Sequence, residues 1–286
     1  MADWQNYLTY KNDGAQHTVV GTLQVLPALH SPQLDNRRDI LVHLPASYAQ
    51  GERRYPVMYM HDGQNLFDQA TSYAGEWEVD ETMQALGLEA IVVGVPNAGE
   101  RRMDEYSPFC DARHGGGQGD LYLAFIVETL KPLIDRDFRT QPDREHTAIM
   151  GSSMGGLISL YAFFRYPGVF GQACVMSLSA WFAKKAILPY VRQAPFVPGK
   201  IYLDVGTREG GDSWPDRLTL RAFSRRYCAS VRQVRDLLVE KGYRPGQDLL
   251  YVEEVGAIHH ESAWSRRLPE ALRFLLTPAR VQKGLV

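Results

Sequence analysis

The chain is 286 residues long, 45% hydrophobic and 22% charged, the composition of an ordinary soluble globular protein that can bury a sizeable core without disulfide or metal staples. Thirty-one Lys+Arg against 33 Asp+Glu give a formal net charge of −2, which implies no polyanionic partner and so no nucleic acid. The three cysteines, Cys110, Cys174 and Cys228, have neither metal nor redox spacing and read as reduced thiols of a cytoplasmic protein.

The N-terminal run Met1-Ala2-Asp3-Trp4-Gln5-Asn6-Tyr7 lacks the basic and apolar regions of a secretory signal. No stretch approaches the roughly 18 apolar residues of a membrane span, so no membrane partner is expected. Strand-like apolar runs follow at Val19–Leu26, Asp39–Leu44, Pro56–His61, Ala90–Val95, His146–Met150, Ala173–Ser177, Lys200–Val205 and Leu249–Val255. Several are nearly continuous in Val, Ile, Met, Leu and Tyr, the pattern of strands covered on both faces.

Helical periodicity lies between them, at Trp77–Leu86, Asp120–Ile134, Ser153–Arg165, Asp216–Lys241 and Ser262–Leu276. No helical pattern separates the first two strands, which predicts an antiparallel start. The remainder alternates strand and helix, which predicts an α/β fold with a mostly parallel central sheet and helices on both faces. No repeat or linker interrupts it, so residues 1–286 are expected to form one domain. In such sheets ligands bind beyond the carboxyl ends of the strands.

Four stretches after strands carry chemistry. Gly151-Ser152-Ser153-Met154-Gly155-Gly156 joins a strand to a helix, the context of a G-x-S-x-G nucleophile elbow, with Ser153 at its centre. A serine hydroxyl needs a base, and only two histidines follow it, His259 and His260, both in the loop after the last strand. One of the pair is the expected base. The loop after the preceding strand, Asp204-Val205-Gly206-Thr207-Arg208-Glu209-Gly210-Gly211-Asp212, offers Glu209 as the orienting acid, with Asp212 and Asp216 as competitors. Two N–H groups should form an oxyanion hole: that of Met154, after the nucleophile, and that of Gln64, with Asn65 close behind, in the turn His61-Asp62-Gly63-Gln64-Asn65.

These runs, with Arg102-Met103-Asp104-Glu105-Tyr106-Ser107-Pro108 and His259-His260-Glu261-Ser262-Ala263-Trp264, resemble the "putative esterase" family of α/β-hydrolases. The resemblance extends from about Asn36 to Leu276 and is strongest to its siderophore-esterase-like branch, which is related to esterase D and to mycolyltransferases. It implies the α/β-hydrolase fold and His259 as the base, and it implies that Arg102 lines the substrate pocket. Position 260 departs from the branch by being His rather than Asn.

The expectation is a serine-dependent carboxylic-ester hydrolase working through an acyl-enzyme on a small-molecule ester, with no cofactor and no metal. The alternatives are an acyltransferase using the same residues and a non-catalytic binding protein on the same fold. His61-Asp62 has no partner at metal-ligand spacing, and Gly115-Gly116-Gly117-Gln118-Gly119 lacks the Lys-Ser/Thr of a phosphate loop. That glycine run is expected at the pocket mouth. Phe67, Tyr106, Trp181, Phe182 and Trp214 would suit a bulky acyl group at the pocket wall, and fit the core just as readily. The oligomeric state is not legible in the sequence.

Overall fold

The computed structural model describes residues 2–211 and 216–277. Among these residues nine strands form one sheet in the order β1-β2-β3-β5-β4-β6-β7-β8-β9. They are β1 (Gln5–Asn6), β2 (Thr22–Ser31), β3 (Asn36–Leu44), β4 (Val57–His61), β5 (Ile91–Val95), β6 (Thr147–Ser152), β7 (Gln172–Met176), β8 (Lys200–Gly206) and β9 (Leu249–Glu254). The pairs β1/β2, β2/β3 and β3/β5 are antiparallel, and every other pairing is parallel. The antiparallel start and parallel remainder expected from the sequence are both present.

Alternation along the central strands explains their unbroken hydrophobicity. Val57, Tyr59, Ile149, Val175 and Leu203 point into one core, while Met58, Met60, Met150, Cys174 and Tyr202 point into the other. The first core is covered by α2, which runs Gly119–Ala124, continues as a π-helix over Phe125–Leu130 and resumes at Lys131–Asp137. It is also covered by α3 (Met154–Arg165) and α4 (Arg217–Lys241). The second lies under α1 (Val79–Leu86) and α5 (Glu261–Leu276). The sheet is thus buried on both faces, as parallel sheets must be.

Two departures from the sequence expectation have local causes. The first long strand begins at Thr22 rather than Val19, because the Val20 N–H is used by the Asp80 carboxylate, not by a neighbouring strand. It also runs on to Ser31 through a register shift between Leu26 and Leu29. Pro27 cannot donate to a ladder and Ala28 has φ 51°, so a bulge carries the strand past the interruption.

The sheet positions a turn at the end of β6, where close backbone approach makes glycine obligatory. A Cβ on Gly151 would lie 2.8 Å from the Gly155 carbonyl carbon. Gly151→Ala is therefore expected to cost about 1–3 kcal/mol by overpacking, seen as a lower melting temperature in calorimetry. Gly168→Ala, whose Cβ would meet nothing within 4 Å, should stay within about 0.5 kcal/mol of the parent. Equal effects at the two positions would contradict the packing account.

Candidate active site

The strand β6 hands the chain to α3 through Ser153, which has φ 58° and ψ −118°. Such a conformation costs a non-glycine residue about 1–3 kcal/mol and persists only where the surroundings dictate it. Here the Ser153 N–H donates to the Met176 carbonyl on β7 at 2.9 Å, and the Ser153 carbonyl accepts from Leu157 and Ser179. Met154 is the first residue of α3, so its N–H has no acceptor within the helix.

A second turn approaches from β4. Asp62, at φ 55°, opens a 3₁₀ turn over Gly63–Asn65, in which the Asn65 N–H closes on the Asp62 carbonyl. Gln64 is the middle residue, and its N–H has no acceptor inside that turn. A Cβ on Gly63 would lie 2.7 Å from the backbone of Gly94 and Val95, so only glycine lets the turn nest on β5. Its underside is His61, whose Nδ1 lies 2.8 Å from the Tyr122 hydroxyl, and whose pKa burial pushes down to about 3.

Arg102 reaches this turn and grips it. Its Nε and Nη2 donate to Asp62 Oδ1 and Oδ2 at 2.7 and 2.8 Å, and Asn97 Nδ2 donates to Oδ1 at 2.7 Å. Burial alone would raise the Asp62 pKa, but the Arg102 charge and these bonds outweigh it and hold it below the usual carboxylate range. The carboxylate that Arg102 faces is thus one of the chain's own.

The loops after β8 and β9 meet at His259. Glu209 Oε2 lies 2.6 Å from His259 Nδ1. Glu209 Oε1 accepts from the Gly206 N–H at 2.6 Å and from the Ser177 hydroxyl at 2.7 Å. Proton directions around Ser177 are forced. Its oxygen receives Trp264 Nε1–H and Arg267 Nη2–H, each at 3.0 Å, and both of those groups can only donate. The one Ser177 proton must then go to Glu209, whose other oxygen takes the His259 Nδ1 proton. Nε2 is left as the basic nitrogen of the ring. The ring stands edge-on between Tyr227 and Trp264, at 5.5 and 5.1 Å.

The Ser153 hydroxyl is bonded to Ser179 Oγ at 3.1 Å, not to His259. Tyr227 donates its proton to the Ser177 carbonyl at 2.5 Å, so its oxygen accepts from Ser179 at 3.3 Å. Ser179 in turn accepts from Ser153. The Ser153 proton thus rests on Ser179, and a rotation about the Cα–Cβ bond is needed to bring it to a base.

Ser153 and His259 open into one cleft of about 360 Å³ whose walls include Asp62, Gln64, Tyr73, Trp77, Asn97, Arg102 and Trp264. Of the residues singled out in the sequence, Ser153, His259, Gln64 and Arg102 line it, and Glu209 sits behind His259. His260 instead caps α5, its Nδ1 accepting from the Ser262 N–H at 3.2 Å. Asp216 is exposed at the start of α4, whereas Asp212 and Trp214 lie outside the described residues. Asp204 is buried in β8 and bonded to Arg267 Nε and the Ser177 N–H.

Of the two places open to the aromatic candidates, the structure takes the core for three. Phe67, Tyr106 and Phe182 are core side chains, 0–1% exposed, and Trp181 lines a separate apolar pocket with Phe223 and Tyr227. Trp77 and Trp264 form the aromatic wall instead, their ring centroids 5.6 Å apart. The Gly115–Gly119 run is likewise absent from the cleft walls. It folds back on the segment at 107–111, with the Gly117 and Gly119 N–H groups donating to the Ser107 carbonyl. Ser177, Ser179, Tyr227 and Arg267 were missed. The first two directly follow β7, where the end-of-strand rule points.

Comparison with known proteins matches residues 31–275 to the family model described as "Putative esterase". The uncharacterized protein YbbA of Bacillus subtilis (strain 168) is 28% identical over 255 residues, covering 87% of this chain and 96% of its own. An iron(III) enterobactin esterase of Dickeya dadantii (strain 3937) is 28% identical over 262 residues, covering 86% of this chain and 53% of that protein. Among solved structures, an IroE-like serine hydrolase from Shewanella oneidensis superposes with a TM-score of 0.68 at 19% identity, over 89% of this chain and 80% of that one; this likeness bears on the fold. The chain therefore belongs to the "Putative esterase" family and is a carboxylic-ester hydrolase of the α/β-hydrolase fold.

Proposed function

We propose that the enzyme hydrolyses small-molecule esters through an acyl-enzyme on Ser153, with His259 as general base and Glu209 as the acid that orients it. The observation that carries this reading is the one-way hydrogen-bond chain from Arg267 and Trp264 through Ser177 and Glu209 to His259 Nδ1. It leaves Nε2 free to take a proton. Substrate entering the cleft turns the Ser153 hydroxyl from Ser179 toward His259. Oγ attacks the ester carbonyl as Nε2 takes the proton, and the Met154 and Gln64 N–H groups receive the oxyanion, each worth about 3 kcal/mol. His259 then protonates the leaving alkoxide, and water repeats the sequence on the acyl-enzyme.

Arg102 acts in this scheme chiefly by fixing Asp62 and therefore the Gln64 turn, while presenting one edge of its guanidinium to the cleft. The cleft holds a compact acyl or alcohol group against Trp77 and Trp264. The related siderophore esterases make hydroxy-acid lactones and aryl-bearing esters the first substrates to try. No helix among the described residues is long and apolar enough to cross a membrane, and the free thiols Cys110, Cys174 and Cys228 fit the cytoplasmic site that we propose.

On p-nitrophenyl esters, Ser153→Ala is expected to lower kcat by at least about 10³-fold; undiminished turnover would sink the mechanism. His259→Ala should fall similarly while His260→Ala stays within about threefold, apart from a small loss of helix-cap stability. The reverse pattern would move the base to His260. Ser177→Ala should reduce kcat about tenfold or more with KM little changed, because it loosens His259 without touching the cleft wall. An effect confined to KM would refute the proton-direction account.

A further inference from the structure

The pocket that Trp181 shares with Phe223 and Tyr227 lies apart from the ester cleft and holds about 340 Å³. Ala229, Lys185 and Arg226 complete its walls. Phe223, Arg226 and Tyr227 stand three and four residues apart on α4, so one face of that helix supplies half of the lining. Phe223 keeps 39% of its surface exposed. The three rings offer apolar surface that a ligand can remove from water.

The pocket also carries a sign. Two cations and no acid line it among the described residues. Arg226 is exposed, and it pairs with no acid among the described residues. The Lys185 ammonium donates to the Gln233 amide oxygen at 3.0 Å, a neutral partner that leaves its charge uncompensated. The backbone that presents Lys185 is strained. Ala183, Lys184 and Lys185 have φ of 46°, 56° and 66°, a left-handed turn of three residues where non-glycine residues normally occur singly. Backbone held in this way concentrates at active sites and ligand clamps.

We propose that this pocket binds an apolar carboxylate, an aryl- or alkyl-substituted acid. Its hydrocarbon part lies on Trp181, Phe223 and Tyr227, and its charge meets Lys185 and Arg226. A small inorganic anion would use the cations but not the rings, and a neutral hydrocarbon the rings but not the cations. A carboxylate is also the anion that this enzyme makes, since every carboxylic ester it cleaves leaves one. Two sources share that chemistry: the released acid, and a carboxylate carried at the far end of a substrate. The assignment uses the esterase activity but not the catalytic roles proposed above.

One ring joins the pocket to the catalytic groups. Tyr227 lies 5.8 Å from the Phe223 ring and 5.5 Å from that of His259, and its hydroxyl takes the Ser179 proton at 3.3 Å. An acid seated on Tyr227 is therefore one side chain away from His259.

The test is calorimetric titration of the full-length protein with phenylpropionate, and in parallel with phenylpropanol, its neutral counterpart. The expected result is one acid per chain with Kd of about 10⁻⁴–10⁻³ M, and the alcohol weaker by at least about fivefold. Replacing both cations, by Lys185→Gln with Arg226→Gln, should weaken the acid at least about fivefold. Phe223→Ala should weaken it by a similar factor, with melting temperatures showing that the variants fold. The KM values of p-nitrophenyl hexanoate and of the p-nitrophenyl monoester of adipic acid separate the sources. A lower KM for the adipate that disappears in the double variant makes the carboxylate part of the substrate. Any other pattern, with phenylpropionate still bound, assigns the pocket to the released acid. No heat from phenylpropionate at ten times the upper Kd would overturn the site. So would phenylpropanol binding as tightly as the acid, or acid binding unchanged in the folded double variant.

Discussion

The backbone conformation of Ser153 is the constraint on which the rest of the site depends. A side chain at φ 58° and ψ −118° is held there because the chain leaves a central strand and enters a helix within one residue. Burial of both sheet faces fixes β6, the Gly151–Gly155 contact permits the bend, and the Met176 carbonyl takes the Ser153 N–H. The consequence is geometric. The hydroxyl stands clear of the turn while the Met154 N–H, unused by the helix, sits beside it.

The second ordering principle is the direction of protons. Ser177 receives two donors that cannot accept, so its own proton is committed to Glu209, and Glu209 is committed to His259. On the other side of Ser153 the protons run away from the imidazole, from Ser153 to Ser179 to Tyr227 and so to the Ser177 carbonyl. The imidazole is held on Glu209, and the nucleophile's proton rests on Ser179 until the Ser153 side chain rotates. In the proposed reaction this asymmetry means that substrate has to reorient one hydroxyl, not assemble a site.

Much of this was legible in the sequence, for identifiable reasons. Strands buried on both faces announce themselves as unbroken apolar runs, and the elbow announces itself by glycines around a serine. The rule that functional loops trail the strands pointed to the His259–His260 pair and to the Glu209 loop, and the family resemblance singled out His259. What stayed hidden depends on three-dimensional meetings between distant elements. Ser177 matters only because β7, the β8 loop and α5 converge on it. Arg102 was expected at the pocket, but its partner Asp62, 40 residues earlier, could not be read from spacing. Which aromatics form the wall stayed open because nearness to a motif does not say which face of a turn a ring takes: Phe67 turns inward, and Trp77 and Trp264 take the cleft.

The central claim is that Ser153 is an activated nucleophile, and covalent labelling tests it most directly. Wild-type protein treated with a fluorophosphonate and digested for mass spectrometry should carry one adduct, on the peptide containing Ser153. Prior unfolding should abolish the labelling. An adduct on another residue, or none on folded protein that still hydrolyses esters, would contradict the account.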